Sequence, residues 1–137
     1  MSTKENQNQN NVIVTEPESE VKVQTELQPD DWLCVSCSKK ITKEKERFSY
    51  DGQTEFQFAN PDGYVFNIIT FRTAEGCREE GKPILEFTWF KNYSWSFAFC
   101  SRCGLHLGWK YSGSSPQADS FYGLIKSRIV KGLALFN

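Results

Sequence analysis

The sequence predicts a mostly antiparallel β domain, one layer packed on another. Two observations carry that fold class. Apolar residues, aromatics above all, recur at every second position in several short runs, and turn-forming clusters separate the runs. A third observation locates the domain. The 137 residues hold 4 Trp, 5 Tyr and 11 Phe; 18 of these 20 aromatics lie between Phe48 and Tyr122, and none lies in residues 1–30. That length is room for one domain and a tail.

Residues 1–30 read as a disordered, acidic, polar tail. They lack Gly, Cys and aromatics, open on a Gln/Asn-rich run, and carry two Lys against five Glu and one Asp, a charge of −4. Such a segment buries too little apolar surface to balance its ordering entropy. Val12-Ile13-Val14 and Val21-Lys22-Val23 offer at most a transient strand. Residues 31–137 are the domain, and their 14 Lys/Arg against 11 Asp/Glu give about +3. That balance lacks the basic footprint of a general nucleic-acid binder.

Within the domain, Phe56 and Phe58 share one side of a strand, and Asn60-Pro61-Asp62-Gly63 marks a turn. Tyr64, Phe66 and Ile68 then alternate with Val65, Asn67 and Ile69, which predicts a strand with two partly buried sides. Arg72 to Glu80 is read as one short helix. Leu85, Phe87 and Trp89 alternate as a strand, and Phe90 to Ser94 forms a tight turn. Trp95, Phe97 and Phe99 alternate and run into Cys100; Trp109 and Tyr111 share a side of the next strand. Ser112 to Asp119 is a polar loop, and Phe121 to Val130 is read as a final strand.

No run approaches the ~18 apolar residues of a membrane-spanning helix. Met1 to Asn11 lacks the apolar core of a secretion signal, so the expected location is the cytoplasm. Thiols stay reduced there, which favours metal ligation over disulfides. Cys34-x-x-Cys37 and Cys100-x-x-Cys103, with 62 residues between them, can each present two thiolates from a tight knuckle. Four thiolates suit a closed tetrahedral zinc site, one ion per chain, with no position left for water or substrate. Such a centre is structural, and here it would tie the start of the domain to its late strands. Lys39, Lys40 and Arg102 lie where they can offset the −2 charge. Cys77 is left over and reads as a half-buried thiol, although Arg78 beside it could lower its pKa. His106, the single histidine, sits in a glycine-flanked run after the second pair. It reads as packed and hydrogen-bonded rather than as a general acid or base.

Trp89, Trp95 and Trp109 fall within 21 residues, more indoles than a core this size needs. They suggest flat walls around a small ligand. Asn60-Pro-Asp-Gly-Tyr64, Glu86-Phe-Thr-Trp-Phe90, Tyr93-Ser-Trp95, Cys100-Ser-Arg-Cys103, His106-Leu-Gly-Trp109-Lys-Tyr111 and Phe121-Tyr-Gly-Leu124 follow in order. With Cys34-x-x-Cys37 this set resembles the CULT domain, the thalidomide-binding domain of cereblon, from about Cys34 to Val130. Cereblon's Lon-like domain and ligase-docking region would not fit in this length, so the likeness is to a single-domain, bacterial-type member.

The resemblance implies a β-tent: two antiparallel sheets at a steep angle, pinned at one end by zinc. It also implies a pocket for cyclic imides such as glutarimide, free or on the end of a peptide. Trp89, Trp95 and Trp109 would be its walls, and Tyr111, where the family more often has Phe, its base. Asn60 would lie at the mouth, and Phe87, Thr88 and Trp89 would form the strand whose backbone meets the imide edge. Phe87 stands where the animal protein has His, so a contact made by that imidazole is not expected.

Three other classes compete. A methionine-sulfoxide-reductase B type of enzyme shares a zinc-pinned β fold with two CxxC pairs, but needs a nucleophilic Cys late in the chain, and none follows Cys103. A cage for a methylated ammonium would want a carboxylate, for which Glu86 is the candidate. Nucleic-acid stacking would want a basic run beyond Lys39 to Arg47. The reading is therefore a binding module with no catalytic residue and no nucleic-acid or membrane partner.

Overall fold

The computed structural model describes residues 27–115 and 118–136. Nine strands account for its regular structure, with three 3-10 turns and, among the described residues, no α-helix. In order they are β1 (Asp31–Cys34), β2 (Lys40–Lys43), β3 (Glu55–Ala59), β4 (Val65–Phe71), β5 (Cys77–Ile84), β6 (Tyr93–Cys100), β7 (His106–Gly113), β8 (Phe121–Ile125) and β9 (Ile129–Lys131). They form two antiparallel sheets, β2-β1-β9 and β3-β4-β8-β7-β6-β5. The mostly antiparallel β class expected from the alternation is the fold observed.

The large sheet is covered on both faces. On one, Ser96, Ala98 and Cys100 of β6 are buried, the latter two packing with Trp32, Ile41, Phe71, Leu107 and Leu124. On the other, Phe48, Ile68, Phe90, Trp109, Tyr111 and Phe121 form a second, aromatic core. β4 serves both, Ile68 turning to the aromatic core and Ile69 to the other. This is the strand with two buried sides that its sequence predicts. Thr70 lies between them fully buried, and its hydroxyl donates to the Phe48 carbonyl at 2.6 Å.

Three expectations need correction. The segment read as a helix, Arg72 to Glu80, is a turn leading into β5, which pairs Cys77 with Cys100 and Glu79 with Ala98. Tertiary pairing overrides local propensity here. Gly76 anchors the entry: its N–H reaches the Ile41 carbonyl at 3.0 Å, and a Cβ there would lie 2.3 Å from the Lys40 carbonyl oxygen. Leu85 to Trp89 is a loop despite its alternation, because Phe87 turns left-handed (φ 63°) and the Thr88 N–H folds back onto the Leu85 carbonyl. Phe121 to Val130 is two strands in different sheets, broken by a 3-10 turn at Lys126–Arg128.

Residues 1–26, including both Val-rich runs of the tail, lie outside the described residues. Gln28 to Asp30, grouped by composition with the tail, are bonded to the domain. Glu44 N–H donates to the Asp30 carbonyl and Leu133 N–H to the Pro29 carbonyl, both at 2.9 Å. No helix among the described residues is long and apolar enough to cross a membrane.

Candidate ligand cavity and metal centre

The two CxxC segments fold alike. In the first, Cys34 N–H donates to the Lys39 carbonyl and Ser38 N–H to the Cys34 carbonyl; in the second, Cys100 N–H donates to Leu105 and Gly104 N–H to Cys100. The residue closing each knuckle is left-handed, Ser38 at φ 66° and Gly104 at φ 80°. The four sulfurs all lie within 4.8 Å of one another. Cys34–Cys103 and Cys37–Cys100 are 3.6 Å apart. Tetrahedral Zn–S bonds of about 2.3 Å put sulfurs roughly 3.8 Å apart, so the cluster fits zinc. Burial pushes the Cys34 thiol up to about 12, against N–H groups of Cys37 and Ser36 that lower it. Cys37 is raised by the same cause, whereas the Leu105 N–H pulls Cys103 down to about 7. A divalent cation would supply the charge that holds all four as thiolates. Cys77, across from Cys100, is pushed up to about 12 by burial and then by the charge of neighbouring groups, so it is a protonated thiol at neutral pH.

β6 runs into this cluster from a cavity of about 340 Å³. Trp89, Trp95, Trp109, Tyr111, Asn60 and Phe87 line it, so six of the seven residues singled out for a ligand come together. Thr88 does not line it: its hydroxyl turns back to the Phe90 N–H and C=O at 3.3 Å. Trp109 stands edge-on to Trp89 with ring centroids 5.0 Å apart, and Phe58 stacks behind Trp89 at 5.1 Å. The indole N–H of Trp89 donates to the Ala59 carbonyl at 3.0 Å and that of Trp95 to the Glu86 carbonyl at 2.8 Å. Those two walls therefore offer ring faces, not donors. Tyr111 is buried at the base, and burial raises its phenol well above the usual range. Gly123 makes room for it, since a Cβ there would sit 3.1 Å from the Tyr111 ring. Asn60 shapes the mouth: its side-chain oxygen accepts the N–H groups of Asp62 and Tyr64.

Phe66, Phe97, Pro61 and His106 complete the lining and were not assigned to a ligand by the sequence. His106 Nε2–H donates to the Gly108 carbonyl at 2.9 Å. Arg128 donates to the His106 carbonyl at 2.9 Å and faces Nδ1 at 3.4 Å. Burial first, and then the Arg128 charge, holds this imidazole below its ordinary pKa. The packed, hydrogen-bonded histidine expected from the sequence is thus what the structure has, but it also faces the cavity. A bulge explains how. Ala98 pairs with Gly108 and Phe99 with His106, so Leu107 is the extra residue. Leu107 points into the core, and His106 joins Trp109 and Tyr111 on the opposite side.

Fold and site together define an all-β domain that joins a four-cysteine cluster to an uncharged aromatic cavity. No family model matches the chain. It is 32% identical over 101 residues to Protein cereblon of Danio rerio, covering 71% of this chain and 23% of that protein. Identity to Protein cereblon of Gallus gallus is 36% over 77 residues, and to that of Xenopus tropicalis 37% over 76 residues. Each of these two matches covers 53% of this chain and 17% of the relative. The chain is a homologue of part of cereblon, and the shared region is consistent with a CULT domain. It spans less than a quarter of the length of these relatives.

Proposed function

We propose that the chain is a non-enzymatic binding module that holds neutral cyclic imides, glutarimide-type rings, beside a structural zinc on Cys34, Cys37, Cys100 and Cys103. The observation that carries the reading is the loop Glu86 to Trp89 at the cavity. Among the described residues, no intramolecular hydrogen bond uses the Phe87 carbonyl or the Trp89 N–H. An imide edge presents acceptor, donor and acceptor in a row. Its N–H can meet the Phe87 carbonyl while one of its carbonyls accepts from Trp89 N–H, and its apolar ring fills the space between the indoles. Phe87 is held left-handed where a bulky residue rarely sits, a strain of the kind that marks binding sites.

Charge separates this reading from its competitors. No carboxylate lines the cavity, and its one titratable base is disfavoured as a cation, so a neutral ligand suits it better than a methylated ammonium. No thiol lines it either, and Cys77 is half-buried and protonated, which supports binding without turnover. Tyr64, Leu85 and Phe87 are exposed next to the mouth, an apolar rim that fits a ring carried on the end of a peptide.

Glutarimide has eight heavy atoms. At roughly 0.75 kcal/mol per atom, half the ceiling for small ligands, binding reaches about −6 kcal/mol, or tens of micromolar. Calorimetry with glutarimide and its N-methyl derivative tests the reading. Methylation removes the central donor and leaves the Phe87 carbonyl unpaired, so it should abolish measurable binding. Equal affinity for both rings would show that the edge is not read and would overturn the proposal.

A further inference from the structure

A buried hydroxyl opens into the cavity with no partner among the described residues. Most other polar atoms of the lining are engaged within the protein. The indole N–H groups of Trp89 and Trp95 donate to backbone carbonyls, the Asn60 side-chain oxygen accepts two backbone N–H groups, and both imidazole nitrogens of His106 face partners. Away from the mouth, that leaves the Trp109 indole N–H and the Tyr111 hydroxyl. Tyr111 is the deeper of the two, 2% exposed against 9%. Its hydroxyl is nevertheless not sealed in the core: the one sealed side-chain polar atom without a partner, among the described residues, is Arg47 Nε. The hydroxyl therefore opens on free space, and the space that its residue lines is the cavity. The ring is clamped in place, with Phe90 edge-on to it at 4.7 Å and Phe121 stacked on it at 5.3 Å. Burial keeps the phenol protonated, so it can both donate and accept.

We infer that the Tyr111 hydroxyl determines specificity at the cavity floor, selecting cyclic imides whose ring carries a hydrogen-bonding atom on the side away from the imide edge over rings that are all carbon there. The inference rests on the imide reading above. That reading holds the imide edge at the Phe87–Trp89 backbone, and Phe87 is 63% exposed whereas Tyr111 is almost fully buried. A bound ring thus runs from the outer loop towards the floor, and its far side meets the hydroxyl. A methylene seated there shuts the hydroxyl from water and gives it nothing to bond. A ring oxygen accepts its proton, and a ring N–H donates to its oxygen. A site with a fixed, buried hydroxyl discriminates by what a ligand leaves unpaired, which separates analogues more sharply than apolar contact does.

The test is calorimetry on the wild-type chain and Tyr111→Phe with three rings that share the imide edge. They are glutarimide, morpholine-3,5-dione, in which oxygen replaces the methylene opposite the nitrogen, and 1,3-oxazinane-2,4-dione, in which it replaces one next to a carbonyl. Tyr111→Phe removes one atom and breaks no hydrogen bond among the described residues, so zinc content should be unchanged and the melting temperature equal or higher. The substitution should leave glutarimide bound at least as tightly and weaken one of the oxygen-containing rings, so that their affinity ratio shifts by about tenfold, the worth of one buried hydrogen bond. Comparing ratios cancels the different hydration of the free rings and any change common to the variant. A ratio that shifts less than twofold for both oxygen-containing rings, including the case where all three affinities change together, overturns the role of the hydroxyl while leaving the imide reading intact. Absence of glutarimide binding to the folded wild-type chain overturns both.

Discussion

Gly108→Ala should be among the most damaging single-methyl changes in this molecule. Gly108 is the strand residue next to the Leu107 bulge, and β7 and β8 approach each other so closely there that no side chain fits. A Cβ would lie 2.1 Å from the Gly123 carbonyl oxygen and 2.9 Å from Leu124 Cα. Both neighbours are backbone, in a strand paired on its other side with β4, so neither can rotate away. Relief requires the two strands to part by about 1 Å, which breaks ladder bonds that work at ~2.9 Å. Two such bonds at about 1 kcal/mol each, with strain of 1–3 kcal/mol, give a loss of roughly 3–5 kcal/mol. For a domain near 100 residues that corresponds to a melting temperature lower by about 15–25 °C. Gly63→Ala is the control: φ is +90° and nothing lies within 4 Å of the added methyl, so only the conformational cost applies, about 1–2 kcal/mol. Thermal denaturation followed by circular dichroism measures both. Gly108→Ala melting no lower than Gly63→Ala would refute the claim that the bulge is rigidly enclosed.

The remaining predictions concern the metal, the histidine and the tail. Cys37→Ser should lose zinc and the folded state together, since structural zinc supplies ~10–16 kcal/mol of folding free energy in small peptides. Cys77→Ser should keep a full equivalent, and elemental analysis of the two variants showing the reverse would sink the four-cysteine assignment. His106 has its folded pKa below the unfolded 6.5, so the unfolded chain binds the extra proton. Its contribution to stability is complete above about pH 6.5 and declines as pH falls below it. His106→Gln keeps a donor for Gly108 and an acceptor for Arg128 without a titrating group, and it should flatten that slope; denaturation curves with identical slopes would remove His106 as the cause. A chain beginning at Leu27 should bind glutarimide as the full chain does, because Gln28 to Asp30 stay bonded to the domain. A large loss of affinity would mean that residues 1–26 take part in the site.

What the sequence could and could not reveal follows from the kind of signal each feature leaves. Phe56/Phe58, Trp95/Phe97/Phe99 and Trp109/Tyr111 announce their strands because sheet pleating spaces like-facing side chains two apart. The same period appears in Leu85, Phe87 and Trp89, where it means something else. The ladder has already ended at Ile84, Leu85 is exposed, Phe87 and Trp89 line the cavity, and the left-handed turn at Phe87 keeps the segment from resuming a strand. Composition carries no trace of that dihedral. β5 fails in the opposite way: an edge strand exposed along nearly its whole length has no buried face to impose a period, so Arg78 to Glu80 read as a helix surface. His106 was legible as a packed residue but not as a cavity residue, since strict alternation separates it from Trp109. Gly108 within the strand was the available clue, because an isolated strand glycine marks a bulge or a close backbone approach, and here it marks both.

The bulge would also give a metal held by the four cysteines a role beyond stability. β6 and β7 are joined by the second knuckle, where Cys100 and Cys103 leave only Gly104 and Leu105 before β7 begins. Fixing both sulfurs on one ion fixes the turn, and a fixed turn sets the register of the hairpin. Register decides the cavity, because a slip of one residue turns every side chain of a strand to the other face. In β7 such a slip would move Leu107 out of the core and His106, Trp109 and Tyr111 away from the cavity. Burial alone weakly opposes it, since the strand carries large apolar residues on both faces: Leu107 on one, Trp109 and Tyr111 on the other. Zinc held by the Cys34–Cys37 knuckle from the other sheet would anchor the hairpin end against that slip. The prediction that Cys37→Ser loses metal therefore carries a second expectation. If an osmolyte such as sucrose restores the β signal of that variant, glutarimide binding should stay weaker than in the wild-type chain. Full recovery of both would show that packing, not the metal, holds the register.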